Sequence, residues 1–291
     1  MAHRTATKNL ITMKQPQKLL LDWIAEVCSS EEVKWLEEEE KKFRSQGNER
    51  DLVLAFSKVP RKITRKDLNI GPEETFKAQT LKKNWHPENL DSEQAARILL
   101  LLSFASEKPE EFSGTVEKLL ETADLNEQIT IYSALPLFPN PERFLQIAYS
   151  GTRSNATSVF DTITLENPYP YEHFSEEAYN RLVLKAAFME RPFWKIVGIP
   201  ERANPVLAEL LLDLVSERWS AGREFNPLVW RLITPALTEN RFREFKTRAK
   251  QMDPINEEAV VLAYEQHKNS STPDSRKWEE LLEKWETQIH T

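Results

Sequence analysis

Ten polar side chains lie within otherwise apolar stretches of the central sequence, and these residues are the best suited to meet a ligand. Four of them are cationic, and guanidinium groups form paired hydrogen bonds with phosphate or carboxylate oxygens. The amide, phenol and imidazole groups of the others could orient such an anion. The candidate ligand-binding residues are therefore Arg153, Asn155, Asn167, Tyr169, His173, Asn180, Lys185, Arg202, Asn204 and Arg218.

Each of these residues also has a purely structural interpretation. For any one residue, the sequence favours that interpretation over a ligand-binding role. Asn155 and Asn204 precede runs with helical apolar spacing, where an asparagine side chain caps the first turn. The arginines could satisfy carbonyl groups at helix ends or pair with neighbouring carboxylates. Asn180 and Lys185 are five residues apart on a predicted helix, so their side chains diverge by about 140° and do not form one site by themselves.

The sequence contains no recognisable catalytic or cofactor-binding motif. A glycine-rich phosphate loop, the Gly-x-Ser-x-Gly nucleophile turn and the His-Glu-x-x-His zinc motif are absent. A metal site would have to be assembled from distant segments, because the histidines are scattered over the chain at His3, His86, His173, His267 and His290. We therefore predict no metal, no cofactor and no catalytic residue, and the sequence leans away from an enzyme.

Composition and charge narrow the class of protein. The chain has 291 residues, one cysteine and a formal net charge of −7. A single cysteine excludes an internal disulfide and suits a reducing compartment, so a cytoplasmic location is predicted. The negative charge argues against nucleic acid or an anionic membrane as the partner. The longest apolar run, residues 98–105, is far shorter than the ~20 residues of a transmembrane helix.

Helix-start signals dominate the chain and predict an all-α fold of about a dozen helices. Asparagine caps an orphan N–H and proline suits the first helical position, and the Asn-Pro pair occurs at Asn140, Asn167, Asn204 and Asn226. The spacing of these pairs is unequal, and glycine is scarce. We therefore expect an irregular α-α superhelix, or array of helical hairpins, rather than a regular repeat.

The central block of the sequence, residues 135–231, supports a specific structural hypothesis. Residues 167–171 are predicted to form a rigid loop, because two prolines restrict their own backbone and that of the residue before each. We expect this loop to pack beside Arg153 and the helix of Asn180, and to form the floor of one concave site. Asn140 is expected to open a helix that Gly151 ends, and Asn204 to cap the helix that begins at Pro205.

Three regions are expected along the chain. Residues 1–16 are polar and offer little to bury, which predicts a disordered N-terminal tail. Residues 17–267 are predicted to form a single all-α domain. Residues 268–291 are predicted to comprise a flexible link, up to about residue 275, and a C-terminal helix.

Several short motifs follow one another through the central block: LPLFPNPERF at 135–144, GTRSN at 151–155, NPYP at 167–170, RANP at 202–205 and ERWSAGR at 217–223. In sequence and order they resemble the EboA family, and the resemblance extends over about residues 20–265. It implies membership of the ebo gene cluster, which also encodes a UbiA-like prenyltransferase and a TatD-like hydrolase and is associated with making or exporting a secondary metabolite. It implies no catalytic residue.

The resemblance and the residues together support three hypotheses. The leading one is a non-catalytic helical protein that binds a pathway partner or intermediate, either another protein of the cluster or an anionic small-molecule metabolite. The second is an enzyme of unrecognised type acting on a phosphorylated or prenylated metabolite, with the four cationic candidates as anion ligands. The third is a structural scaffold. A deep pocket lined by several candidates would favour a ligand, and a shallow apolar groove would favour a protein partner.

Overall fold

The structure, a computed structural model, describes residues 2–45, 47–269 and 275–289. Helices make up most of these residues, and no β-strand occurs in the described ranges, where an isolated bridge joins Asp67 and Asp91. The prediction of an all-α fold is confirmed. The chain divides into two compact units, Met1–Phe174 and Ser175–Thr291, and each is described by itself.

The first unit contains ten α-helices and two short 3-10 turns in its described part. The turns are Leu135–Leu137 and Pro141–Phe144. The helices are α1 (Ala2–Val27), α2 (Ser30–Ser45), α3 (Glu49–Lys62), α4 (Pro72–Leu81), α5 (Ser92–Glu107), α6 (Pro109–Thr122), α7 (Leu125–Ala134), α8 (Leu145–Arg153), α9 (Thr157–Thr164) and α10 (Pro168–His173).

Helix α5 is the centre of the first unit. A capping box fixes its start, since Asp91 Oδ1 accepts the N–H of Gln94 at 2.8 Å and Gln94 Oε1 accepts the N–H of Asp91 at 3.1 Å. Every residue from Ala95 to Ala105 is buried, and α1, α2, α3, α6 and α7 surround the helix. The longest apolar run of the sequence is therefore core. None of the helices in the described ranges has the length and apolar character that a membrane crossing requires.

The second unit consists of seven further α-helices and two 3-10 turns in its described part. The turns are Phe193–Lys195 and Thr234–Ala236. The helices are α11 (Glu176–Phe188), α12 (Ile199–Arg202), α13 (Pro205–Ser220), α14 (Val229–Ile233), α15 (Glu239–Met252), α16 (Pro254–Asn269) and α17 (Ser275–Ile289).

An aromatic cluster anchors the core of the second unit. The ring of Trp230 lies 5.6 Å from that of Trp219 and 5.4 Å from that of Phe245, measured between centroids. The indole N–H of Trp230 donates to Oδ1 of Asn256 at 2.9 Å, so the buried ring keeps its polar atom satisfied. Helix α17 packs on α16, where the indole N–H of Trp278 donates to a side-chain oxygen of α16 at 3.2 Å.

Helices α11 and α13 run in the same direction. Asn180, in the first half of α11, bonds to Asn204 at the start of α13. The carbonyl of Phe188, at the end of α11, accepts a hydrogen bond from Arg218 near the end of α13. Both helices therefore end on the same side of the unit, which brings their C-terminal turns together.

Two of the Asn-Pro predictions are wrong in detail. Asn140 adopts a left-handed backbone with φ of 51° and makes no capping bond, so a 3-10 turn follows and α8 begins only at Leu145. Gly151 lies within α8 and does not end it. A Cβ at Gly151 would lie 2.6 Å from the ring of Tyr132, so the glycine permits a close approach between helices.

The structure also differs from the expected count and boundaries. More than a dozen helices are present, because four- to six-residue helices such as α10, α12 and α14 are too short to show a periodic pattern. Helix α1 includes residues 2–16, where the sequence favours a disordered tail; alanine, lysine and leucine there are good helix formers. The chain forms two compact units, and the predicted single domain over residues 17–267 stays a prediction. Most of the predicted link at 268–275 lies outside the described residues.

Candidate functional site

Asn204, which is half-buried, and Asn180 form one polar pair in the second unit. Asn204 Oδ1 accepts the N–H of Leu207 at 2.9 Å, which confirms its predicted role as the cap of α13. The two amides also bond to each other in both directions, at 2.9 and 3.2 Å. Asn180 is almost fully buried. The pair therefore joins α11 to the start of α13, and its amides are engaged inside the protein.

Arg202 lies beside this pair and packs on an aromatic ring. Its guanidinium carbon is 4.2 Å from the ring centroid of Tyr179, and the Tyr179 hydroxyl donates to the carbonyl of Val197 at 2.7 Å. The carbonyl of Arg202 accepts a 3.0 Å bond from Asn204. Three predicted candidates thus meet at the start of α13 in a set of contacts that orders the chain between α11 and α13.

Arg218 connects the C-terminal ends of α11 and α13. It is buried, its Nη2 donates to the carbonyl of Phe188 at 2.6 Å, and its Nη1 pairs with the carboxylate of Glu190. The guanidinium carbon also lies 5.7 Å from the ring centroid of Phe225. These contacts give Arg218 a positioning role for the chain around it.

Asn167 occupies a buried corner of the first unit. Its Nδ2 donates to the carbonyls of Tyr132 at 3.2 Å and Thr162 at 3.0 Å, and its Oδ1 accepts the N–H of Tyr169 at 3.0 Å. That last bond caps α10, so the predicted rigid loop at 167–171 is instead the start of a short helix. Proline at the first helical position favours this outcome. All three hydrogen bonds of the amide are made to backbone.

Tyr169 and His173 complete this corner. The Tyr169 hydroxyl donates to the carbonyl of Pro141 at 2.5 Å, and burial raises the pKa of the phenol. The ring of His173 lies 4.7 Å from that of Tyr169. Burial lowers the pKa of His173, and the adjacent carboxylate of Glu172 only partly opposes this effect.

The remaining three candidates lie at surfaces of their own units. Arg153 and Asn155 are exposed, and Ala156 rather than Asn155 is the residue at the start of α9. Lys185 is half-buried on α11, where burial lowers the pKa of its ammonium group. The concave site expected from Arg153, the 167–171 segment and Asn180 would draw on both units, and it stays a prediction.

A cavity of about 260 Å³ in the first unit adjoins the Asn167 corner. Trp85 and His86 form part of its wall, and Asp161 and Glu166 contribute carboxylates. Glu166 has a left-handed backbone with φ of 54°, and it directly precedes Asn167. Asn167 is the one predicted candidate on this wall, and its amide groups are bonded to the backbone.

A larger cavity, of about 470 Å³, lies in the second unit at the ends of α11 and α13. We call it the arginine–aromatic cavity. Its polar walls are Arg191, Arg223, Glu190, Glu224 and Asn226, and its aromatic walls are Phe193, Trp194, Phe225 and Trp285.

Helix termination explains why both arginines reach this cavity. The N–H of Arg191 donates to the carbonyl of Ala186, and the N–H of Arg223 donates to that of Arg218, both at 2.9 Å. These are the long bonds of Schellman motifs, in which the preceding residue has a positive φ. Gly222 supplies it after α13 with φ of 67°. Two parallel helices that end alike therefore place an arginine at the same position beyond each end.

The matching position after α11 is held by a strained residue. Glu190 has φ of 55°, a conformation that costs a non-glycine residue about 1 kcal/mol or more. Its ion pair with Arg218 holds this turn in place. The pair also engages the Glu190 carboxylate, which leaves Arg191, Arg223 and Glu224 as the other charged residues of the wall, with one net positive charge.

A family model described as metabolite traffic protein EboA matches residues 16–234, about three quarters of the chain. This chain belongs to the EboA family. Searches of curated proteins and of solved structures found no significant match. In this EboA protein, the matched range includes every residue of the arginine–aromatic cavity except Trp285, which α17 contributes from beyond it.

Sequence reasoning missed the residues that line this cavity. Arg223 is the last residue of the ERWSAGR motif that resembles the EboA family. Gly222, directly before it, is a helix-stop signal, and its positive φ changes the direction of the chain. Trp194 and Trp285 carry no local signal that separates a cavity wall from a core. No group of three or more His, Cys, Asp or Glu side chains suited to a metal ion occurs in the described ranges.

Proposed function

We propose that this EboA protein binds an amphiphilic, anionic metabolite in its arginine–aromatic cavity and carries it without transforming it. The phosphorylated or prenylated precursor of a secondary metabolite is the ligand class that fits this proposal, and the cytoplasm is the proposed location. The family description as a metabolite traffic protein supports a role in handling a metabolite.

The observation that carries the proposal is the composition of the cavity wall. Arg191 and Arg223 lie at matching positions after two parallel helices, and four aromatic side chains complete the wall. Guanidinium groups suit phosphate or carboxylate oxygens, and aromatic faces suit an apolar or flat moiety. A volume of about 470 Å³ is adequate for a small metabolite.

The side chains of this wall are better suited to binding an anion than to general acid–base catalysis. Guanidinium groups keep their proton at physiological pH and so make poor general acids or bases. The carboxylate of Glu190 already pairs with Arg218. Glu224 is the other carboxylate of the wall, and binding without reaction is the simplest role for a wall whose remaining charged groups are guanidinium groups.

Intrinsic tryptophan fluorescence tests the proposal, because Trp194 and Trp285 both line the cavity. The protein is titrated with farnesyl diphosphate, with farnesol and with inorganic pyrophosphate. We expect saturable binding of the diphosphate, and affinities at least about tenfold weaker for the two fragments, since each lacks one half of the recognition.

Arg223→Gln is the decisive variant. Loss of one charge-assisted hydrogen bond should weaken diphosphate binding roughly 10- to 100-fold while the melting temperature stays near that of the wild type. Arg243→Gln is the matched control, because Arg243 is an exposed arginine of α15 that pairs with Glu239 of its own helix. Unchanged binding in Arg223→Gln refutes the assignment of this cavity, and mass-spectrometric conversion of the diphosphate refutes the carrier role.

A further inference from the structure

A second surface of the second unit is apolar and has charged edges of opposite sign. It is the groove of about 460 Å³ between α11 and α13, which we call the α11–α13 groove. Leu184, Phe188, Leu210 and Leu214 form its floor. Arg181 and Lys185 lie on its α11 edge, and Asp213 and Glu217 lie on its α13 edge.

The helical spacing accounts for this arrangement. On α11 the residues are 181, 184, 185 and 188, and on α13 they are 210, 213, 214 and 217. Each set follows the i, i+3, i+4, i+7 pattern that forms one stripe of a helix surface. Because the two helices run in parallel, the basic and the acidic stripe edges extend side by side along the whole groove.

Part of the apolar floor is open to solvent: Phe188 is 57 % exposed and Leu210 is 36 % exposed, whereas Leu214 is buried. Val206, which lies outside the floor and one helical turn before Leu210 on α13, is 58 % exposed. The three exposed residues are half of the large exposed apolar side chains of the described residues. Contiguous exposed apolar surface with a polar rim is typical of a protein interface.

We infer that the α11–α13 groove is the interface between two copies of this chain. A two-fold axis running along the groove places the basic edge of one copy over the acidic edge of the other, on both sides of the axis. The apolar floors then face each other. A two-fold interface uses the same patch on both subunits, so the patch must be self-complementary, and this one is.

Other occupants match the groove less well. An anionic membrane surface would be repelled by Asp213 and Glu217, and a partner of a single charge would meet one edge of like sign. A second copy matches both edges. The inference stands apart from the proposed function, because the residues that line the groove differ from those that line the arginine–aromatic cavity.

The oligomeric state of the full chain tests the inference. The chain has a mass of 33.9 kDa, and sedimentation velocity should show a species of twice that mass. The measurement is made up to about 100 µM, because a dimer population depends on protein concentration. If the protein stays monomeric over this concentration range, the inference is overturned. This holds even if the groove binds a different protein.

Two variants connect a dimer to this groove. Leu210→Glu puts a charge on the exposed floor and should raise the dimer dissociation constant about 100-fold or more, with the circular dichroism melt unchanged. Reversing the acidic edge, with Asp213→Arg and Glu217→Arg, should separate the copies because like charges then face each other. Reversing the basic edge as well, with Arg181→Glu and Lys185→Glu, should restore the dimer.

This rescue distinguishes an interface from general damage to the fold. Restored association in the four-residue variant supports the two-fold arrangement, because complementarity returns with opposite sign. A dimer that survives both Leu210→Glu and the acidic-edge reversal is held elsewhere, and this result overturns the inference. Leu54→Glu is the matched control, since Leu54 is an exposed leucine of α3 in the other unit.

Discussion

The Asn167 corner and the arginine–aromatic cavity place polar groups among apolar ones in opposite ways. In the corner, both amide atoms of Asn167 bond to backbone within 3.2 Å. In the cavity, Arg191 and Arg223 come from helix ends and form part of an open wall. Asn167, which the sequence offers as a ligand-binding candidate, therefore supports the architecture. Arg223, which the sequence does not offer as a candidate, lines a cavity that can hold a ligand.

The difference has a physical basis. A polar group that is fully buried must find partners inside the protein, because an unpaired one costs about 1–3 kcal/mol. Its hydrogen bonds are therefore used before any ligand arrives. A residue just beyond a helix end has its backbone fixed by the termination motif, and its side chain can line a neighbouring cavity, as those of Arg191 and Arg223 do. Ligand-binding residues are better sought at such positions than among buried amides.

The strongest test of the comparison is Asn167→Ala. The substitution removes the cap of α10 and the hydrogen bonds to the carbonyls of Tyr132 and Thr162, the first of which is buried, so we expect a loss of about 3 kcal/mol in unfolding free energy. Urea denaturation measures it. Ligand affinity of the folded protein should not change. A loss below about 0.5 kcal/mol would mean that the corner is held by other contacts.

A double-mutant cycle sharpens the comparison within the second unit. Asn204→Ala removes both a helix cap and a bond to Asn180, so it should cost about 2 kcal/mol, more than the ~1 kcal/mol of a cap alone. Asn180→Ala should cost about 1–2 kcal/mol. Because the two amides bond to each other, the double variant should lose less than the sum, by about 0.5 kcal/mol or more. Additive losses would show that the pair does not act as one unit.

The smallest expected effect is on the pH dependence of the unfolding free energy, and it comes from His173 in the Asn167 corner. Burial lowers the pKa of His173, so the unfolded chain takes up the proton first as the pH falls. Its contribution to stability is present above the ordinary histidine pKa of about 6.5 and is lost as the pH falls below that value toward the lowered one. Unfolding free energies at pH 7.5 and 5.5 should differ more for the wild type than for His173→Gln.

The matched substitution for this pH test is His267→Gln, which changes an exposed histidine of α16 in the second unit. It should keep the wild-type difference between the two pH values. If His173→Gln also keeps that difference, the imidazole of His173 does not control the pH response of the corner.

The sequence predicts the fold class well because helix signals are local. Asn204 and Pro205 alone predict the start of α13. The N–H of Leu207, three residues after the cap, donates to Asn204 as a capped N–H normally does. The same reasoning fails at Asn140, where the left-handed backbone is set by the surrounding packing. Short helices such as α10 escape prediction because they are shorter than two helical turns.

The site is less predictable because its contacts are between distant parts of the chain. Asn180 and Asn204 both stand out in the sequence, yet nothing local shows that they bond across 24 residues. The spacing of Asn180 and Lys185 correctly argues that one helix does not bring them together. Arg223 is overlooked because charged residues near a helix end are usually solvated, and only the parallel course of α11 and α13 brings it to the same cavity as Arg191.

The position of Trp285 has an evolutionary consequence. The two arginines follow helices inside the range that the family model matches, whereas this aromatic wall comes from a terminal helix outside it. Under the proposed function, substitutions in that helix would alter the wall that meets the apolar part of a cargo and would leave both arginines in place. A preference for one cargo over another could then change through this one helix, without any substitution in the matched range that contains the arginines.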